Sequence, residues 1–203
     1  MIEFPKKEKQ LTVLSYGIGQ DSTAILLKCI YDEEFKNKFV KGELIVVCAD
    51  TMNEHAKTII ALNYYKKLCK LYNIPFYHLD PKTYATGHWK KGLIGFYKAN
   101  NAIGSKAFPK TCTDNLKIRP IYKFLEYYVH KKFKTTKYGA KKAIWQYFYE
   151  YGKIDVLIGI AKKEEKRASE NGSTKIKWFN ECINKVYPLL DIGYGRQECQ
   201  DYI

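Results

Sequence analysis

LTVLSYGIGQDSTAILLKCI (residues 11–30) runs from a short apolar stretch through a glycine-containing turn into apolar residues at helical spacing. Leu11 to Ser15 reads as a strand, and Ala24, Ile25, Leu27, Cys29 and Ile30 mark one face of a helix predicted over 22–36. The connecting segment SYGIGQDS (15–22) therefore sits where a parallel sheet presents the start of a helix to ligands. Gly17 and Gly19 can take positive φ and let backbone N–H groups approach an oxyanion, and the helix beginning near Asp21 adds its positive dipole end. Ser15 and Ser22 supply hydroxyl donors to the same place. Two glycines alone would also suit an ordinary strand-to-helix turn. The segment lacks the G-K-[ST] of a Walker loop, and Ser22 stands where a G-x-G-x-x-G fingerprint needs its third glycine.

Beyond this loop, ELIVVCAD (43–50) is continuous and β-branched, as expected of a parallel strand covered on both faces. A helix carrying Ile59, Ile60, Leu62, Leu68 and Leu71 follows, and residues 75–79 supply a third strand. The order βαβαβ implies a parallel sheet with right-handed crossovers. From about 80 to 110 periodicity fades among Pro81, Gly87, Gly92, Gly95, Gly104 and Pro109, which predicts a long loop insertion with one short helix. Helical spacing resumes over 114–133, and AIWQYFYEYG (143–152) leads to a fourth strand, DVLIGI (155–160). A fifth strand is expected within VYPLLDI (186–192), before a last helix from Arg196. The aromatic run Trp145 to Tyr151 could stack on bases, but packing against the sheet suits it better because aromatic rings dominate cores by area.

With 203 residues, one α/β domain over 1–203 is the expectation. Apolar residues make up 46% of the chain without any run long enough to cross a bilayer, so no membrane partner is expected. The leading segment MIEFPKKEKQ lacks an apolar core with a cleavage site, which makes a cytoplasmic location the default expectation. Six cysteines show no C-x-x-C pairing, so neither a disulfide scaffold nor a zinc ribbon is indicated. Cys29, Cys48 and Cys69 fall in apolar periodic segments and read as small core residues. A net charge of +14 suits a nucleic-acid partner through neutralisation of phosphates, and it equally suits solubility from helix-surface lysines. The sequence leaves a homo-oligomer open.

The pattern over 15–22 resembles the S-G-G-x-D-S loop of the PP-loop adenine nucleotide α-hydrolase superfamily. Within it, the nearest likeness is to the phosphoadenosine phosphosulfate (PAPS) reductase-like family of phage and mobile-element type, whose loop often reads S-Y-G-G-G-x-D-S. Ile18 stands where that family has a glycine. CADTMNE (48–54), with Thr58, is similar to the family's A-D-T-G-x-E…T, with Met52 in place of glycine. TCTDNLKIRP (111–120) resembles C-T-x-x-x-K-I-x-P, GIAKKEEKR (159–167) resembles G-I-x-x-x-E-x-x-R, and YPLLDIGYGRQEC (187–199) is similar to the closing strand and helix. The likeness implies a doubly wound, mostly parallel five-stranded sheet of the Rossmann-like kind flanked by helices.

It also implies ATP or a related adenine nucleotide with Mg²⁺, held by Ser15, Tyr16, Gly17, Gly19, Gln20, Asp21 and Ser22, with Asp50, Thr51 and Glu54 at the adenosine edge. Gly159, Glu164 and Arg196 complete the binding set, and Asp21, Cys112, Lys117 and Arg167 are the candidate catalytic residues, with Arg119 beside them as a further anion-binding cation. Taken alone, Asp50 could equally cap a helix, and Glu164 with Arg167 could be a surface ion pair. Cys112 has two readings, a thiolate favoured by neighbouring cations or a half-buried thiol at a helix start. No set of residues reads as a metal site of its own, and the scattered cysteines argue against an iron–sulfur cluster.

In such enzymes an acceptor oxygen attacks the α-phosphorus, pyrophosphate leaves, and a nitrogen or sulfur nucleophile resolves the adenylated intermediate. The resemblance implies that chemistry for an acceptor such as a nucleic acid, with sulfur transfer among its forms. A PAPS-type reductase or sulfurtransferase using Cys112 or Cys199 is a second reading, weakened because the sequence has no E-C-G-I-H-x-G segment. A third is a nucleotide-sensing or nucleic-acid-binding module without turnover.

Overall fold

The computed structural model describes residues 10–103 and 111–203. The first strand, β1 (Leu11–Ser15), ends at the glycine loop, and α1 (Gln20–Tyr31) follows. The expected single helix to residue 36 is two helices. The Asp32 carboxylate accepts from the N–H of Phe35 at 2.9 Å and so starts α2 (Glu33–Phe39) in a new direction. Then come β2 (Glu43–Ala49), α3 (Ala56–Leu71) and β3 (Phe76–Leu79).

The stretch expected to be mostly loop is largely helical over 81–99. Asp80 caps α4 (Pro81–Tyr84), which has proline in its first turn, and a 3₁₀ turn at Gly87–Lys91 runs into α5 (Gly92–Ala99). Gly104 and Pro109, counted in that loop, lie outside the described residues, as does nearly all of the leading segment. The chain resumes with α6 (Thr111–Thr113), a π-helical stretch at Asp114–Ile118 and α7 (Arg119–Lys132). Helix α8 (Lys142–Tyr151) leads to β4 (Ile154–Ile158), and a 3₁₀ turn at Glu165–Arg167 and α9 (Lys177–Cys182) precede β5 (Ile183–Val186). The fifth strand thus lies ahead of Pro188. That residue has no N–H for a sheet ladder, and it opens α10 (Pro188–Asp191) instead, before α11 (Arg196–Tyr202).

Among the described residues all four strand pairings are parallel, in the order β3-β2-β1-β4-β5. Period-two alternation splits the strands between two cores. Leu11, Val13, Ile45, Val47, Ile154 and Val156 pack with α7 and α8 on one face, and Leu14, Leu44, Val46, Cys48 and Leu157 pack with α1 and α2 on the other. The sheet is covered on both faces, as the expected doubly wound α/β class requires. Tyr147 is fully buried in the first core with Trp145, Phe148 and Tyr151 against it, and Tyr149 points to solvent. Among the described residues no helix is long and apolar enough to cross a membrane.

Candidate functional site

The chain runs from β1 to β2 on one side and places β4 on the other, so the strand order reverses beside β1. Ligands of open parallel sheets bind in the crevice at the carboxyl ends of the strands flanking such a point. Ser15 ends β1 there, half-buried and in register with Val47 on one side and Ile158 on the other.

Residues 16–19 form the turn. Ile18 sits in the left-handed region at φ 58°, a conformation that glycine adopts freely and a β-branched residue rarely does. Gly19 precedes α1 in extended backbone, and no side chain caps the helix start. The dipole of α1 favours an anion at such an uncapped start. Ser22 serves the loop itself. Its hydroxyl donates to the Gly19 carbonyl at 3.0 Å and lies 3.3 Å from the Gly17 N–H, which donates to it. This departs from the expectation of a donor free for phosphate. Tyr16 departs further: its ring is 2% exposed, packs edge-on to Tyr65 and Phe76, and its hydroxyl meets that of Thr23 at 3.2 Å. Only its backbone borders the loop, because the residue after β1 must fill the core beneath α3.

Gly159, just past β4, backs onto the start of α1. A Cβ there would lie 2.8 Å from the Ser22 nitrogen and 3.1 Å from Asp21, so glycine is what lets the two segments meet. Glu164 is half-buried and bonded to the guanidinium groups of both Arg167 and Arg196, while the Gln20 side-chain amide donates to the Arg196 carbonyl. Asp21 faces this group. Burial and the Glu164 charge raise its pKa, and Arg196 and Arg167 pull it down less strongly. Desolvation would also raise Glu164, but the two guanidinium groups outweigh it and leave its carboxyl below the usual range. Asp21, Glu164, Arg167 and Arg196, read from three separate segments, are thus gathered into one cluster.

The second group lies at the end of β2. The Asp50 carboxylate accepts from the Met52 N–H at 2.6 Å and lies 3.7 Å from His78 Nε2; Thr51 donates to Glu54 at 2.7 Å. Met52 is left-handed at φ 56°. Gly92 comes so close that a Cβ on it would sit 2.8 Å from the Thr51 carbonyl, and Leu93 donates to that carbonyl at 3.0 Å. Thr58 lies half-buried in the first turn of α3. Gly92 and His78 are neighbours that the sequence reading missed. The signal for His78 was available, since parallel pairing sets Cys48 beside it; nothing local marked Gly92 apart from the other glycines of its segment.

Lys117 is half-buried, and its charge bears on Cys48 at the end of β2. Arg119 does not join it, being ion-paired with Asp114 at 2.6 Å and largely exposed. Cys112 is half-buried against a small apolar cluster of Ala85, Trp89 and Leu116. Cys199 is fully buried in the core beside α1, and burial lifts its thiol to about 11, which disfavours the thiolate. Cys29, Cys48 and Cys69 are buried as expected. Among the described residues no three His, Cys, Asp or Glu side chains form a group that could hold a metal ion.

No family model matches the chain, and no curated protein matches it significantly.

Proposed function

We propose that this protein binds an adenine nucleotide at the crevice between β1 and β4 and uses ATP, with release of pyrophosphate, to modify an acceptor. The observation that carries the reading is the uncapped start of α1 set against Gly159, with Asp21, Arg167 and Arg196 converging beside it. That arrangement fits the polyphosphate of a nucleotide. Backbone N–H groups of the first turn would receive phosphate oxygens, and Ser22 would hold the turn in shape. Arg167 and Arg196 would exchange their bonds to Glu164 for bonds to phosphate, stabilising charge as pyrophosphate departs. The end of β2, with Asp50, Thr51 and Glu54, is the strand end next to β1 and would hold the adenosine.

The same residues fit Mg²⁺ only with the nucleotide present. This ion commonly takes one or two protein carboxylates and completes its shell with phosphates and water, and Asp21 is the carboxylate whose burial leaves it in need of a cation. Bound in that way, Mg²⁺ would neutralise phosphate charge. The left-handed φ of Ile18 and Met52 supports the family resemblance, because both stand at that family's glycine positions.

Calorimetric titration with ATP, AMP and phosphoadenosine phosphate, with and without Mg²⁺, tests the reading together with a pyrophosphate-release assay. Micromolar binding of ATP that Asp21→Ala weakens is the expected result. Absence of binding by the folded protein would overturn it, and preference for phosphoadenosine phosphate would transfer the site to PAPS-type chemistry.

A further inference from the structure

Helix α3 leans on the sheet with one narrow face. Leu62 and Cys69 are buried, and Thr58, Ala61, Tyr65 and Leu68 are half-buried. The opposite face is apolar as well: Ile60 is 69% exposed, Tyr64 60% and Leu71 73%. At 3.6 residues per turn these three project within about 40° of one another, so they make one ridge along the helix. Their spacing, with Lys57 and Lys67 in the same series, is the alternation of fours and threes that a coiled-coil seam follows. Tyr72, at the end of α3, stacks edge-on with Tyr31 at 5.5 Å and prolongs the ridge onto the end of α1 with two more exposed rings. Lys57, Lys66, Lys67 and Lys70 flank or interrupt the ridge, all exposed, and the helix carries no acidic residue.

We infer that this ridge is a docking surface for an acidic amphipathic helix of another protein, with apolar residues against Ile60, Tyr64 and Leu71 and carboxylates opposite Lys57, Lys67 and Lys70. Charge selects the partner. Helix α3 of a second copy would bring four more lysines and no carboxylate to the seam. A lipid surface is matched by an apolar stripe broader than this one, whereas a ridge so narrow fits between the side chains of a facing helix. An apolar centre with tyrosines and a charged rim is also the composition of protein interfaces. The inference does not rest on the nucleotide reading, since Ile60, Tyr64 and Leu71 are no part of the cluster around Asp21.

The test uses the full chain and fluorescently labelled synthetic helices: one with leucines at seam positions and glutamates beside them, one with the same residues scrambled, and one with lysines replacing the glutamates. Binding of the first at least tenfold tighter than the other two is expected. Leu71→Asp should abolish it, and a Lys66→Glu, Lys67→Glu, Lys70→Glu variant should reverse the preference toward the lysine helix. All these positions are exposed, so circular dichroism and an unchanged melting temperature verify the fold of each variant. Equal binding of the scrambled helix, or no binding, would overturn the proposal. So would a dimer in sedimentation that Leu71→Asp dissolves, or adsorption to phosphatidylglycerol vesicles that depends on Leu71.

Discussion

The two groups at the carboxyl end of the sheet are built in opposite ways. Around α1, hydrogen bonds between the Ser22 hydroxyl and the backbone shape a loop that leads into a helix start without a side-chain cap, and charges of both signs meet at Asp21. At the end of β2 the polar groups satisfy one another: Asp50 holds Met52, Thr51 holds Glu54, and the Thr51 carbonyl is taken by Leu93. The first group is prepared for an anion, because orphan donors and partly desolvated charges gain most from a ligand. The second is prepared to keep its shape, and offers a wall.

Replacing the glycine at the heart of each group separates these roles. Gly159→Ala sets a methyl against the Ser22 backbone, which cannot yield without moving the start of α1. A loss of about 1–3 kcal/mol is expected, as for other overpacked sites, and ATP affinity should fall by about 100-fold or more as the donors shift. Gly92→Ala combines a left-handed φ of 73° with a Cβ 2.8 Å from the Thr51 carbonyl. It should destabilise by about 2–4 kcal/mol, since strain and overlap add, while ATP affinity changes by less than about tenfold. Thermal melts and calorimetry on both variants decide this; equal losses of affinity would mean that the two groups act as one.

The contrast also explains what the sequence made legible. The glycine loop was readable because strand, turn and helix are contiguous, and apolar periodicity sets all three. The convergence of Glu164 and Arg196 on Asp21 depends on the neighbouring positions of β1 and β4, which motif positions suggest and only the sheet order establishes. The burial of the Tyr16 ring has a local reason: alternation along β1 turns the side chain after Ser15 into the core that contains Leu14. The burial of Cys199 was not legible, because its place in a motif says nothing of burial. The fifth strand was displaced by a few residues because the run 186–192 is apolar throughout, and proline decides where the sheet ends.

A middling effect should come from Glu164, whose two arginines set the electrostatics of the first group. Its carboxyl lies below the usual range in the folded protein, so the unfolded chain takes up the proton first as pH falls. The stabilisation is present above the ordinary glutamate range and disappears as pH drops through it to the lowered folded value. Asp21 works in the other direction: its raised pKa means the folded protein holds the proton more firmly, and stability declines as pH rises through that window. Glu164→Gln should lower the melting temperature at neutral pH by about 1–3 °C, a partly exposed pair being worth little more, and the difference should shrink as the pH falls through the glutamate range. A deficit that stays constant as the pH falls through that range would mean packing, rather than charge, is what Glu164 supplies.

The smallest effects belong to Ile18 and Met52, one in each group, both left-handed. A side chain in that region costs about 1–2 kcal/mol, which glycine removes, and glycine in turn loses about 0.5–1 kcal/mol through the freedom of the unfolded chain. Ile18 is half-buried against the core that contains Tyr16, so Ile18→Gly also forfeits apolar contact and should come out within about 1 kcal/mol of no change. Met52 is 46% exposed and loses less on truncation, so Met52→Gly should be neutral or stabilising by up to about 1 kcal/mol. Urea titrations of the two variants rank them. If Met52→Gly proves the more damaging, its contact with Gly92 matters more than the strain it carries, and the wall at the end of β2 is held by side-chain packing as much as by its hydrogen bonds.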